Sequence, residues 1–172
     1  WLPSRFSAQM VNEMKRKFIS GLWNTYAFYV LYADIDQFDP SQYQLEYNKL
    51  SVMDHWILSR LNTLVKDVDQ RMEKYDITGS TRVMENFVDD LTNWYVRRSR
   101  DRYWGSGMEQ DKINAYMTLF TVLETLTRLS APFIPFMAES IYQNITVNFF
   151  ADVPESVHLS DFPTYDTTMI NP

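Results

Sequence analysis

Ser51-Val52-Met53-Asp54-His55-Trp56-Ile57-Leu58-Ser59-Arg60-Leu61-Asn62-Thr63-Leu64-Val65-Lys66-Asp67-Val68-Asp69-Gln70-Arg71-Met72 decides the fold of this chain. On a 3.6-residue period Ile57, Leu61, Leu64, Val65, Val68 and Met72 share one face, the signature of an amphipathic helix; a half-buried strand would alternate with period two. Ser51 is placed to cap the helix, and Asp54, three residues on, is a weak capping-box partner.

The same signature recurs on both sides. Upstream, residues 8–33 carry Val11, Phe18, Leu22, Tyr26 and Tyr29 on one stripe. Downstream, residues 81–103 carry Met84, Phe87, Val88, Leu91 and Tyr95, and residues 110–130 carry Ile113, Met117, Phe120, Leu123 and Leu126. Pro135 suits the first turn of a fifth helix running to about residue 146. The breaks fall between these segments: a loop over 34–50 containing Pro40, a turn over 76–80 containing Gly79, a stop at Gly105-Ser106-Gly107, and Pro132. Residues 156–162 alternate briefly and read as a short extended strand. Helices of 20 residues or more are rods of at least ~30 Å, and rods joined by short links make an antiparallel bundle. The expectation is an all-α fold: an antiparallel bundle of four to five long helices in one domain, residues 1–163, with a short irregular or extended C-terminal piece and an unassigned tail, 164–172.

Composition fits that reading. The 172 residues include 45% hydrophobic and 16% aromatic side chains, enough for a core and too many for disorder. The absence of cysteine removes disulfides, thiolate metal sites and thiol nucleophiles, and suits a reducing cytoplasm. No apolar run reaches the roughly 18 residues of a membrane span. The opening at Trp1 rather than methionine is expected of a piece cut from a longer protein. The net charge of −6 weighs against a nucleic-acid partner until its distribution is considered. No Lys or Arg follows Arg128, whereas Glu139, Asp152, Glu155, Asp161 and Asp166 do. Setting those five aside from the 22 acidic residues leaves 17 against 16 basic ones, a net of −1.

The inventory for catalysis is thin. His55 and His158 have no acidic or thiol partner at a recognised spacing and read as structural or surface residues. Asp89 and Asp90 are neighbours on a helix, pointing about 100° apart, and suit a solvated or salt-bridged face. There is no Gly-rich phosphate loop and no Ser/His/Asp set. One segment stands out: Asn93-Trp94-Tyr95-Val96-Arg97-Arg98-Ser99-Arg100-Asp101-Arg102-Tyr103-Trp104, with four arginines among four aromatics. On an uninterrupted α-helix Arg98 and Arg102 continue the Leu91–Tyr95 stripe and face the bundle. Asn93, Arg97, Arg100 and Trp104 then face outward, where guanidinium forks can hold phosphates and an indole can lie against a base. A solvated arginine face with a tryptophan packed under a loop is the plainer alternative.

Several blocks resemble one family in order along the chain. Leu22-Trp23-Asn24-Thr25-Tyr26-Ala27-Phe28, Met53-Asp54-His55-Trp56-Ile57-Leu58-Ser59-Arg60-Leu61-Asn62 and the arginine-rich segment with its preceding Phe87-Val88-Asp89-Asp90-Leu91 are similar to the anticodon-binding domain of isoleucyl-tRNA synthetases, class I ligases. So are Leu129-Ser130-Ala131-Pro132-Phe133-Ile134-Pro135-Phe136-Met137-Ala138-Glu139 and Ser156-Val157-His158-Leu159-Ser160-Asp161-Phe162-Pro163.

The resemblance implies a domain that binds the anticodon stem-loop of an isoleucine-accepting tRNA through Asn93, Arg97, Arg100 and Trp104. The parent would be a cytoplasmic ligase that joins isoleucine to tRNA using ATP with magnesium. Its catalytic, editing and C-terminal domains, and zinc where present, would lie outside this chain. No catalytic residue, metal or cofactor is expected in the chain itself. The corresponding domain of valyl-tRNA synthetase is the runner-up. A helical protein-binding scaffold is the alternative from another class, although its groove should be Met- or Leu-rich where this chain has Asn93, Arg97, Arg100 and Trp104.

Overall fold

A computed structural model describes residues 7–170, so Trp1 and the outermost residues of the expected 1–163 domain and 164–172 tail lie outside the described residues. The fold is all-α, and five long helical elements form an antiparallel bundle. Helix α1 spans residues 8–36, built from Ala8–Met14, a π-helical stretch Lys15–Ile19, and Ser20–Asp36. Helix α2 is Val52–Glu73. Helix α3 spans 77–103, with Ile77–Asp89 and Arg97–Tyr103 separated by a π-helical Asp90–Val96. Helix α4 is Gln110–Ser130, and α5 spans 135–147, beginning at Pro135.

The core takes in most of the expected stripes, but on α4 Ile113 and Phe120, expected to be buried, are only partly so, while Tyr116, Leu119 and Val122, outside the expected stripe, are fully buried. Ile57, Leu61, Leu64, Val65 and Val68 of α2 are buried, together with Met84, Phe87, Val88, Leu91 and Tyr95 of α3 and Met117, Leu123 and Leu126 of α4. Each fully buried aliphatic or aromatic side chain contributes roughly 1.5–3 kcal/mol from removal of apolar surface from water. Gly21 brings α1 close to α3: a Cβ there would lie 2.7 Å from Val88 Cγ1.

The loop after α1 is tied down by an aromatic stack. Gln37, at φ 51°, ends α1 in the left-handed region. Phe38 then stacks between Tyr43 and Tyr116, with centroids 5.0 and 4.5 Å away.

Four further local expectations need correction. Val11 is 47% exposed and takes no part in the core stripe of α1. Helix α3 begins at Ile77, not at 81, because Asp76 caps it by accepting from the Gly79 N–H at 2.9 Å. The turn is instead made at Tyr75, with φ 57°, and Gly79 sits in the first helical turn. Residues 156–162 form no strand; Ser156 caps a single 3-10 turn, Val157–Leu159. The Glu139 carboxylate holds that turn by accepting from the Ser156 hydroxyl at 2.8 Å and the Val157 N–H at 2.9 Å. The fourth correction, the phase of α3, bears on the site.

Candidate nucleic-acid interface

The arginine-rich segment is carried by the second half of α3, and the π-helical Asp90–Val96 decides which way it faces. A π turn accommodates one extra residue, so every position after it is rotated by one residue relative to a continuous α-helix. The buried sequence runs Leu91, Tyr95, Val96, Ser99 and Tyr103. Arg98 is therefore exposed, against the expectation that it faced the bundle. Its guanidinium lies 4.8 Å from the centroid of the Trp94 ring, a cation–π contact. Thr92 supplies a local cause for the widened turn: its hydroxyl donates to the Val88 carbonyl at 2.9 Å, competing with the backbone N–H that an α-helix would place there.

Asn93, Arg97, Arg100 and Trp104 are all exposed. Arg97 and Arg100 are three residues apart, about 4.5 Å along the axis, with Arg98 beside them. Asn93 is less free than its exposure implies, because its amide donates to the Asp89 carboxylate at 2.6 Å. Trp104 is 61% exposed, yet its indole N–H donates to the Tyr32 hydroxyl at 2.9 Å, which fixes the ring against α1. The indole thus lies against a helix and not under a loop, with its ring still largely outward.

Arg102 behaves as a clamp. It reaches Asp54 and Asp111 together, and its Nε lies 2.9 Å from Asp111 Oδ2. Asp54 is fully buried. It accepts from the Tyr95 hydroxyl at 2.6 Å and from the Ser51 N–H and hydroxyl at 3.0 and 2.8 Å, so the expected capping box doubles as an ion-pair site. Burial pushes the Asp54 carboxyl up, but the Arg102 and Tyr95 hydrogen bonds, the Arg102 charge and Ser51 together hold it below the ordinary carboxylate range. Burial, joined by the Tyr103 hydroxyl and the Asp54 charge, raises the Tyr95 hydroxyl well above its usual value.

The loop between α3 and α4 is pinned as well. Lys112 is 4% exposed, donates to the Gly105 carbonyl at 2.7 Å and pairs with Asp36 at 2.6 Å. These contacts tie the loop that follows the arginine segment to α1 and α4.

Beside Trp94 lies a groove of about 440 Å³ that the sequence reading missed, lined by Val52, Met53, Trp56, Asp90 and Trp94. Val52 is 83% and Trp94 49% exposed. The i, i+4 spacing of Trp94 and Arg98 was the available signal for their cation–π contact, hidden because an α-helical phase turned Arg98 inward. Asp90 is occupied by Arg60, 2.8 Å away, as expected of a salt-bridged face. His55 packs edge-on against Tyr47, with centroids 4.3 Å apart, and His158 is exposed on its turn. Among the described residues no cluster of three His, Cys, Asp or Glu side chains is placed to hold a metal ion, and no helix is long and apolar enough to cross a membrane.

The bundle thus displays an arginine face on α3 beside the ion pairs through which Arg102 joins α3 to its neighbours. The chain belongs to the family described as the anticodon-binding domain of tRNA ligase, which matches residues 54–171. Its relatives are more specific. It is similar to the isoleucine–tRNA ligase of Clostridium novyi (strain NT), 53% identical over 171 residues, which is 99% of this chain and 16% of that protein. The isoleucine–tRNA ligases of Clostridium acetobutylicum, 52% identical over 99% of this chain and 16% of that protein, and of Bacteroides fragilis (strain ATCC 25285), 44% identical over 99% of this chain and 15% of that protein, align likewise. The chain thus spans about one sixth of the length of the relatives it matches.

Proposed function

We propose that this chain holds the anticodon stem-loop of an isoleucine-accepting tRNA against the exposed face of α3, as one domain of a ligase that joins isoleucine to that tRNA using ATP. Arg97, Arg98 and Arg100 are assigned to backbone phosphates. Trp104, Trp94 and Asn93 supply stacking surface and hydrogen bonds beside them. The observation that carries this reading is the exposure of three neighbouring arginines in a segment whose fourth arginine, Arg102, is bound to the buried Asp54. The family of the chain supports it. ATP, magnesium and the chemistry of activation belong in this reading to the rest of the polypeptide, and the setting is cytoplasmic protein synthesis.

The physics sets the scale of binding. Two or three arginines on phosphates predict a log–log salt slope of about −1.4 to −2.7, from roughly −0.7 to −0.9 per phosphate neutralised. Titration of the chain with isoleucine tRNA and a non-cognate tRNA across a salt series tests this. Weak, salt-sensitive binding that favours the cognate tRNA is expected. Tight binding insensitive to salt, or none to any tRNA, would contradict it. Isoleucine-dependent pyrophosphate exchange is not expected from the chain alone.

A further inference from the structure

Helix α1 carries no charged residue between Lys17 and Asp34. A helix apolar on every side is ordinarily buried on every side. Here the inner side meets the bundle through Leu22, Thr25 and Tyr29. The outer side carries Ile19, Trp23, Ala27, Leu31 and Ile35, all exposed and all four residues apart. Trp23 is 44%, Leu31 57% and Ile35 65% exposed. Between Ile19 and Ile35 the exposed polar residues are Asn24 and Asp34. The five side chains form an oblique ridge along the i±4 row, about 24 Å long at 1.5 Å per residue, and such ridges fit the grooves of a facing helix.

We infer that this ridge is the seat of another domain of the same polypeptide, which covers it with an apolar surface. The inference rests on the reading of the chain as one domain of a longer ligase; the relatives it matches are about six times its length, so ample polypeptide exists to cover the ridge. Charge argues for protein over RNA. A phosphate backbone needs cations opposite it, and the basic residues of α1, Lys15, Arg16 and Lys17, precede the ridge. The large aromatic of the ridge is of the residue type enriched at the centres of protein interfaces, and it is packed from behind: Trp23 lies on Tyr26 with centroids 5.1 Å apart, and the Tyr26 hydroxyl accepts from the Asn144 amide.

Hydroxyl-radical footprinting of the full-length polypeptide and of the 172-residue chain, each with and without tRNA, tests the inference. Oxidation at Trp23 and Leu31 is expected to fall at least fivefold in the full-length polypeptide without tRNA. Leu31→Lys with Ile35→Lys should restore oxidation of Trp23 there, while the circular dichroism of the short chain carrying the same changes stays the same. Equal oxidation in both lengths would overturn the inference. So would protection that appears only with tRNA, protection in the short chain that grows with its concentration, or protection of Trp23 that survives both lysines. The two readings fail separately. Loss of the RNA reading would leave the ridge protected with no tRNA bound to the short chain; loss of this one would leave tRNA bound and the ridge open.

Discussion

Arg102 and Asp54 meet in a two-pronged pair, Nη1 to Oδ1 at 2.8 Å and Nη2 to Oδ2 at 2.9 Å. The carboxylate belongs to the first turn of α2 and the guanidinium to the last turn of α3, so one contact fastens opposite ends of neighbouring antiparallel helices. Arg102 is therefore a structural residue inside the segment proposed to face RNA. Its substitution by alanine strands a buried carboxylate and should cost roughly 3–5 kcal/mol. Denaturant titration of Arg102→Ala measures this directly, and a loss below about 1 kcal/mol would mean that Asp54 finds another partner.

The same pair sets an acid limit on stability. The Asp54 carboxyl lies below its ordinary value when folded, so the folded state binds the proton less readily than the unfolded chain does. The stabilisation is fully present above the unfolded pKa of about 3.9 and is lost as pH falls through the lower folded value. Unfolding free energy followed from pH 6 downward should decline in that window, and Asp54→Asn, already destabilised at neutral pH, should show a shallower decline.

The exposed arginines behave differently. Arg97→Ala and Arg100→Ala should each change stability by under about 0.5 kcal/mol while weakening tRNA binding. Arg98→Ala should cost at most about 1 kcal/mol, the value of an exposed cation–π contact, and should weaken tRNA binding too. Melting temperatures and tRNA affinities of the three variants check this. A large stability loss at Arg98 would restore the inward phase.

Gly79 is held to glycine by geometry. A Cβ there would lie 2.0 Å from Asp76 Oδ2 and 2.5 Å from Arg71 Nη1. Gly79→Ala should displace the cap of α3 and cost about 0.5–2 kcal/mol, the usual value of an N-cap. Asp76→Ala should cost a similar amount, and the double variant less than the sum, because both remove one interaction.

What was legible in the sequence followed regular periodicity. Ile57 to Val68 placed α2 in its correct phase because nothing interrupts that helix. The stripe read for α4, by contrast, lies to one side of a buried face that runs through Tyr116, Leu119, Val122, Leu123 and Leu126. A helix buried around most of its circumference leaves little polar contrast to fix its phase. Ser51 and Asp54 announced their cap, and Arg102 its inward role. The phase of Arg98 was not legible: a π turn leaves the hydrophobic pattern nearly intact on both sides and shifts only the register between them. The start of α3 was misplaced because Gly79 reads as a turn, whereas here it serves close approach to Asp76. The groove beside Trp94 joins Val52 and Trp56 of α2 to α3, a neighbourhood that no local pattern encodes.

The widened turn at Asp90–Val96 also bears on how this domain diverges. Removing one residue there would let α3 run as a plain α-helix and would leave the faces on either side in register, with Ser99 still inward and Arg98 still outward, because the turn absorbs that residue. Closing the turn with every residue kept would instead swing everything beyond it through about 100°, carrying Arg98 inward and Ser99 outward. The widened turn therefore acts as a slack link that takes up a one-residue difference in length without exchanging the arginine face. Two such domains could differ by one residue in this segment and still offer the same surface to the same partner.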